Sequence, residues 1–140
     1  MADPSAEHLK NLAELRWMDA EVLLGASRHS AAYYLAGYAI ECGLKAVIAL
    51  SFRATVIPSK KFVNDIHTHN LESLIALAGL KQQLDLAGHD NPELEANWAF
   101  IAGWKESSRY ETIDPFTANR MMTAVGDPRS GVLQWLRTHW

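Results

Sequence analysis

The chain has a single cysteine, Cys42, in 140 residues. A disulfide framework is therefore excluded, and a reducing compartment is expected. Charge of one sign is also missing in excess, since the net charge is only -3. No global basic field exists to hold nucleic acid, so any RNA contact must use a local patch. The opening residues, Met-Ala-Asp-Pro-Ser-Ala-Glu-His, do not pair a basic stretch with an apolar one and do not read as a signal peptide. There is no internal repeat or low-complexity tract. No segment alternates convincingly with period two, which argues against strands. Gly-x-Ser-x-Gly, the phosphate-binding loop and the Rossmann fingerprint are all absent, which speaks against those catalytic and nucleotide-binding classes.

What the chain does contain is a long apolar run, Ala31 to Leu50, with Glu41 and Lys45 four residues apart near its middle. A surface helix has one apolar stripe and one wet face. This one can be wet only along a narrow strip, so it reads as the central helix of a small all-α domain. It is long enough to span a bilayer. Each charge at a helix centre, however, costs roughly 2.5–3.5 kcal/mol on insertion scales, and no aromatic and basic flanks compensate. The expectation is a cytoplasmic protein without a membrane partner.

Turn and capping residues divide the rest. Asp3 and Pro4 fit the N-cap and first turn of a first helix that carries Leu9, Leu12, Leu15, Val22 and Leu23, with Trp17 off that stripe. Arg28-His29-Ser30 breaks the chain, and Ser30 is placed to cap the second helix, which runs to about Phe52. Residues 53–68 are the least regular. Asn70 is the expected cap of a third helix that fades by Leu86, and Gly88 to Pro92 is a turn and restart. A fourth helix is expected over 92–106, followed by an exposed connection at Ser107 to Glu111. Asp114-Pro115 opens a fifth, with Met121, Met122 and Val125 inward, and Ser130 would cap a last short helix. The pattern predicts an up-and-down bundle of about five helices plus a short C-terminal one, in one domain covering residues 1–140.

Three constellations carry chemistry. Glu41 and Lys45 form an i,i+4 pair in the favoured order. They are either a structural ion pair at a helix edge or the polar centre of a cleft or dimer seam. In the second case a buried pair needs further partners such as Arg109. Tyr34 and Tyr38 share their face and can stack on a base, or simply pack with their hydroxyls at the rim. Arg109-Tyr110 offers a guanidinium fork for phosphate, or a structural tie to acidic helix ends. His67-Thr68-His69, near Asp65 and His89, has a chelating pattern but lacks a converging set, so no metal is expected, and no cofactor. Cys42 sits where a thiol is usually inert. Small residues Ala32, Ala36, Ala39 and Gly43 would let another helix approach, from this chain or a second copy.

The run Ala31-Ala-Tyr-Tyr-Leu-Ala-Gly-Tyr-Ala-Ile-Glu-Cys-Gly-Leu-Lys45 resembles the second helix of HEPN domains (higher eukaryotes and prokaryotes nucleotide-binding). His69-Asn70-Leu71 with Leu74 is similar to the start of that family's third helix. Arg109-Tyr110 is similar to a step after its fourth, and Gly131 to Leu136 with Trp140 to its closing helix. The resemblance implies a helical bundle that dimerises and works in RNA or nucleotide biology, often beside a minimal nucleotidyltransferase in a toxin–antitoxin pair. The family's nucleases carry Arg, four to six residues, then His. No arginine here is followed by histidine at that spacing. The implied function is thus nucleotide, RNA or nucleotidyltransferase binding, with Tyr34, Tyr38, Glu41, Lys45, Arg109 and Tyr110 as contacts. Two alternatives stand beside it. One is a ribonuclease using a non-standard set, Arg109 with His69 or Glu41. The other is an interaction scaffold docking through exposed aromatics such as Trp135 and Trp140.

Overall fold

Ser5 starts the first helix. Its backbone is extended and its side-chain Oγ accepts the His8 N–H at 3.1 Å, opening α1 (Ala6–Gly25). Asp3 and Pro4, expected as cap and first turn, instead precede the helix. The computed structural model describes residues 3–140. The apolar run forms α2 (His29–Ser51), with eleven of its residues buried. Ser30 does not cap it; its hydroxyl accepts the Ile113 N–H at 2.9 Å, tying the helix start to a distant connection.

The irregular stretch contains one short helix, α3 (Lys60–Asp65), capped by Ser59. Asn70 caps α4 (Leu71–Leu77) as expected, accepting the Ser73 N–H at 2.9 Å. The single third helix of the sequence reading is in fact two. Gly79 takes φ +72, a left-handed conformation that ends α4, and α5 (Lys81–Asp90) restarts beyond it. The turn expected at Gly88 lies inside α5, and only Asn91 separates that helix from α6 (Pro92–Ile101). α6 stops well short of residue 106, and Trp104 is buried just after it. A 3₁₀ turn, Glu106–Tyr110, follows. α7 (Pro115–Gly126) is capped by Asp114, whose carboxylate accepts from Thr117 N–H at 2.7 Å. α8 (Val132–Arg137) is capped by Gly131 without a side-chain bond. Ser130, expected as that cap, is buried and donates to Asn91 and Glu93 instead.

All described residues are helical or in connections, so the chain is an all-α bundle. α2 is its axis and packs against α1, α4, α7, α8 and the 3₁₀ turn. Its apolar side chains Ile40, Leu44 and Ile48 meet Leu71, Leu74 and Ile75 of α4, Met121 and Val125 of α7 and Leu133 and Leu136 of α8 in one core. α2 is long and apolar enough to cross a membrane by length and composition, yet 61% of its most apolar window is buried inside the fold. The hydrophobic effect is already satisfied by the chain's own helices.

Of the small residues expected to admit another helix, Ala32, Ala36 and Ala39 are buried and Gly43 is met by Leu136 and Trp140 of the same chain; Gly37, not among those expected, is covered as well. The Trp104 indole packs on Gly37 so closely that a Cβ there would sit 2.3 Å from the ring. Trp140 donates its indole N–H to the Gly43 carbonyl at 3.3 Å. Trp135 and Trp140 are half-buried, so they are not the exposed docking aromatics of the scaffold reading. Trp135 instead packs edge-on against His139. Arg137 of α8 holds Glu14 of α1 through two contacts of 2.7 Å, closing the ends of the chain onto each other.

Candidate functional site

The Glu41–Lys45 pair lies on the face of α2 turned toward α4 and the 3₁₀ turn. Glu41 is buried, at 4% exposure. A lone carboxylate there would be costly, so it needs partners. Lys45 Nζ stands 3.3 Å from its Oε2. His69 supplies the rest. Its Nδ1 lies 2.9 Å from Oε1 and 3.0 Å from Oε2. Asn70 explains the placement, because capping α4 fixes the backbone one residue after His69.

The imidazole continues the path. Nε2 of His69 is 2.8 Å from Oε2 of Glu106, and the other oxygen of Glu106 accepts from Arg109 Nη1 at 2.5 Å. The result is one connected chain of five charged or ionisable groups, Lys45, Glu41, His69, Glu106 and Arg109. An imidazole facing carboxylates on both nitrogens donates to both only as the imidazolium; the neutral ring donates to one. His69 therefore bridges a buried carboxylate and a more exposed one.

Aromatic residues flank the Arg109 end. The guanidinium carbon lies 4.9 Å from the Tyr110 ring centroid, and that ring is 79% exposed. The neighbouring Tyr110 first, then the hydrogen-bonded Glu106 and the nearby Tyr34, hold the Arg109 cation still further above its ordinary range. Tyr34 in turn packs against Trp104 at 5.8 Å and edge-on to Tyr38 at 6.3 Å. Tyr38 stands one turn before Cys42 on α2. Burial first, then the neighbouring Cys42 and Glu41, pushes its phenol up to about 12. Burial, reinforced by the Glu41 charge, pushes the Cys42 thiol up to about 12 as well, which makes it a poor nucleophile.

The six residues singled out in the sequence thus fall on one side of α2. Tyr34, Arg109 and Tyr110 gather at one end, and Glu41 and Lys45 at the other. Tyr38 lies between them. Glu106 is the link that sequence reasoning missed, and His69 was weighed only for metal chelation and for the alternative nuclease. Glu106 stands three residues before Arg109, the spacing of an i,i+3 ion pair, and that was the available signal. Nothing in the sequence joins His69 to Glu41, which is 28 residues away. His67 points elsewhere, lining a separate cavity. Among the described residues, no group of three or more His, Cys, Asp or Glu is arranged to hold a metal.

The exposed connection expected at Ser107 to Glu111 is ordered as the 3₁₀ turn and is anchored by buried Ser108. The Ser108 hydroxyl and the Trp104 indole N–H are buried without a hydrogen-bond partner. Comparison with models of protein families, with curated proteins and with solved structures finds no match to this chain.

Proposed function

We propose that this chain is a HEPN-like domain that binds RNA or a nucleotide through the Arg109 end of the polar chain, without the usual nuclease motif. The observation that carries this reading is the grouping of a half-exposed guanidinium with Tyr110 and Tyr34. A guanidinium matches a phosphate with two parallel donors. An exposed Tyr110 ring gives a base a face to stack on, independent of sequence. The phosphate would exchange with Glu106 on Arg109, while Glu106 keeps its contact with His69.

The same reading includes a homodimer and a minimal nucleotidyltransferase as partner, in a toxin–antitoxin-like system. Leu15, Met18 and Val22 support the dimer. They are 50%, 54% and 72% exposed and recur at i, i+3 and i+7 on one side of α1, the pattern of a helix face that another helix covers. The test of ligand binding uses fluorescently labelled single-stranded RNA and a labelled adenine nucleotide. The expected result is saturable binding of at least one probe, weakened at least fivefold in a folded Arg109→Ala protein. Equal affinity in that variant ends the assigned role.

A second reading, a ribonuclease with a non-standard set, is favoured by one observation, the seating of His69 between two carboxylates within reach of Arg109. Carboxylate-held imidazoles serve as general bases, and a guanidinium stabilises a phosphorane-like charge. Cleavage of RNA by purified protein, lost in His69→Ala and in Arg109→Ala, would establish it. No cleavage by the folded wild type removes it.

A further inference from the structure

Beside the polar chain, on the far side of Lys45, lies a cavity of about 590 Å³ between the start of α1, the last turns of α2 and the segment after α3. Leu9, Ile48, Ala49, Phe52 and Ile66 form its apolar wall. Leu9 and Ile48 are among the buried core residues, so this wall is continuous with the packed interior. The volume falls in the range of small-molecule sites, which are apolar clefts with a few placed polar groups. Here those groups are Lys45 and His67, with Asp3 and Ser5 also lining the cavity.

Lys45 is the informative member. Its ammonium has three donors. One meets Glu41 Oε2, at the long distance of 3.3 Å, and no other side-chain partner is found among the described residues. Glu41 meanwhile has both oxygens within 3.0 Å of His69. The carboxylate is shared with the imidazole, so Lys45 meets it through one long contact and keeps donors to spare while its side chain lines the apolar cavity. A cation with free donors at the edge of an oily cleft is matched by a ligand with an anionic head and an apolar tail.

We infer that this cavity binds a single-chain amphiphile with a carboxylate head, the head on Lys45 and the tail against Leu9, Ile48, Ala49 and Phe52. The inference is independent of the RNA reading, although the two share Lys45. The anionic head takes the spare donors of Lys45 while the contact with Glu41 stays in place, so occupancy of the cavity is felt at the near end of the polar chain. His67 also lines the cavity and offers a second donor for the head.

Decanoate is the probe, and decanol, with the same tail and no charge, is the control. Each is titrated into purified protein below its aggregation limit and followed by calorimetry. The expected result is saturable one-to-one binding of decanoate, with decanol at least tenfold weaker. Lys45→Met keeps the stem and removes the charge, and should bring decanoate down to the level of decanol. Ala49→Phe fills the cleft and should abolish binding of both. Methyl NMR on the wild type gives an independent readout that does not rely on any variant folding. Decanoate should shift the methyls of Leu9, Ile48 and Ile66 before any others. Failure of decanoate to saturate, equal affinity for decanol, or shifts centred away from these methyls would each overturn the inference.

Discussion

At the scale of single residues, Glu41, Gly37, Cys42 and Tyr38 on α2 set the character of the site. Glu41 is a buried anion shared between Lys45 and His69. Both partners reach solvent in part, with side chains 24% and 48% exposed. Water can therefore take over some of what Glu41 supplies, and Glu41→Gln should cost about 1–2 kcal/mol, at the low end for a broken buried pair. Urea denaturation checks that figure, and an unchanged midpoint would mean the pair is structurally idle. Gly37 is constrained by contact rather than by backbone angle. Any Cβ would strike the Trp104 ring, so Gly37→Ala should destabilise by about 1–3 kcal/mol as the indole is forced out. Because the turn holding Arg109 begins two residues after Trp104, the same variant should also blunt ligand binding. Cys42 and Tyr38 give a pH signature. Their protons are held more tightly in the native state than in the unfolded chain, where ordinary values are 9.0 and 10.0. The unfolded state therefore loses protons first as pH rises. The stability these groups contribute is complete below about pH 9 and falls as pH climbs toward about 12. Denaturation curves at pH 8, about 10 and about 11 should show that slope, and Cys42→Ala should flatten part of it.

At the scale of elements, caps decide where the site residues stand. Asn70 both starts α4 and fixes the backbone beside His69. Asn70→Ala should cost about 1 kcal/mol, and it should loosen the His69 contact with Glu41, visible as a changed imidazole signal by NMR. Asp114 starts α7, and its hydrogen bonds from Thr117 hold its carboxyl below the ordinary value of 3.8. The sign is that of a depressed acid: the contribution is present above that ordinary value and is lost as pH falls through the native one. Asp114→Ala should remove this piece of the acid sensitivity below about pH 4, and an unchanged acid limb would contradict it. The elements also show what was legible in advance. Asn70 and Asp114-Pro115 announced their helices because a cap is a local event, written in three or four neighbouring residues. Ser30 and Ser130 have the same chemistry yet serve distant partners, Ile113 and the Asn91–Glu93 turn. No local pattern separates those two uses. The break at Gly79 was missed because apolar spacing runs on through it, while a left-handed residue ends the helix. The order in the 3₁₀ turn was missed because Ser108 and Trp104 are held by tertiary packing.

At the scale of the whole molecule, the long apolar helix is the feature that sequence conveyed best. Apolar on nearly every side, it had to be central, and four helices and the 3₁₀ turn now surround it. Its small residues were equally open to a second copy, and only the folded chain shows Trp104 and Trp140 occupying them. The candidate site was legible as a set of residues but not as a connected path, because Glu106 and His69 enter it from other elements. Leu15, Met18 and Val22 remain uncovered within one copy. Sedimentation should find a dimer for the wild type and a monomer for Met18→Glu, since a charge in an apolar helix seam has no partner. A dimer in both would place the contact elsewhere. The most direct measurement for the account is the affinity of labelled single-stranded RNA and of a labelled adenine nucleotide for wild-type protein and for Arg109→Ala, with folding of both verified by circular dichroism. The account predicts saturable binding of at least one probe and at least a fivefold loss in the variant. Identical affinities, or no binding of either probe by the folded wild type, would contradict it.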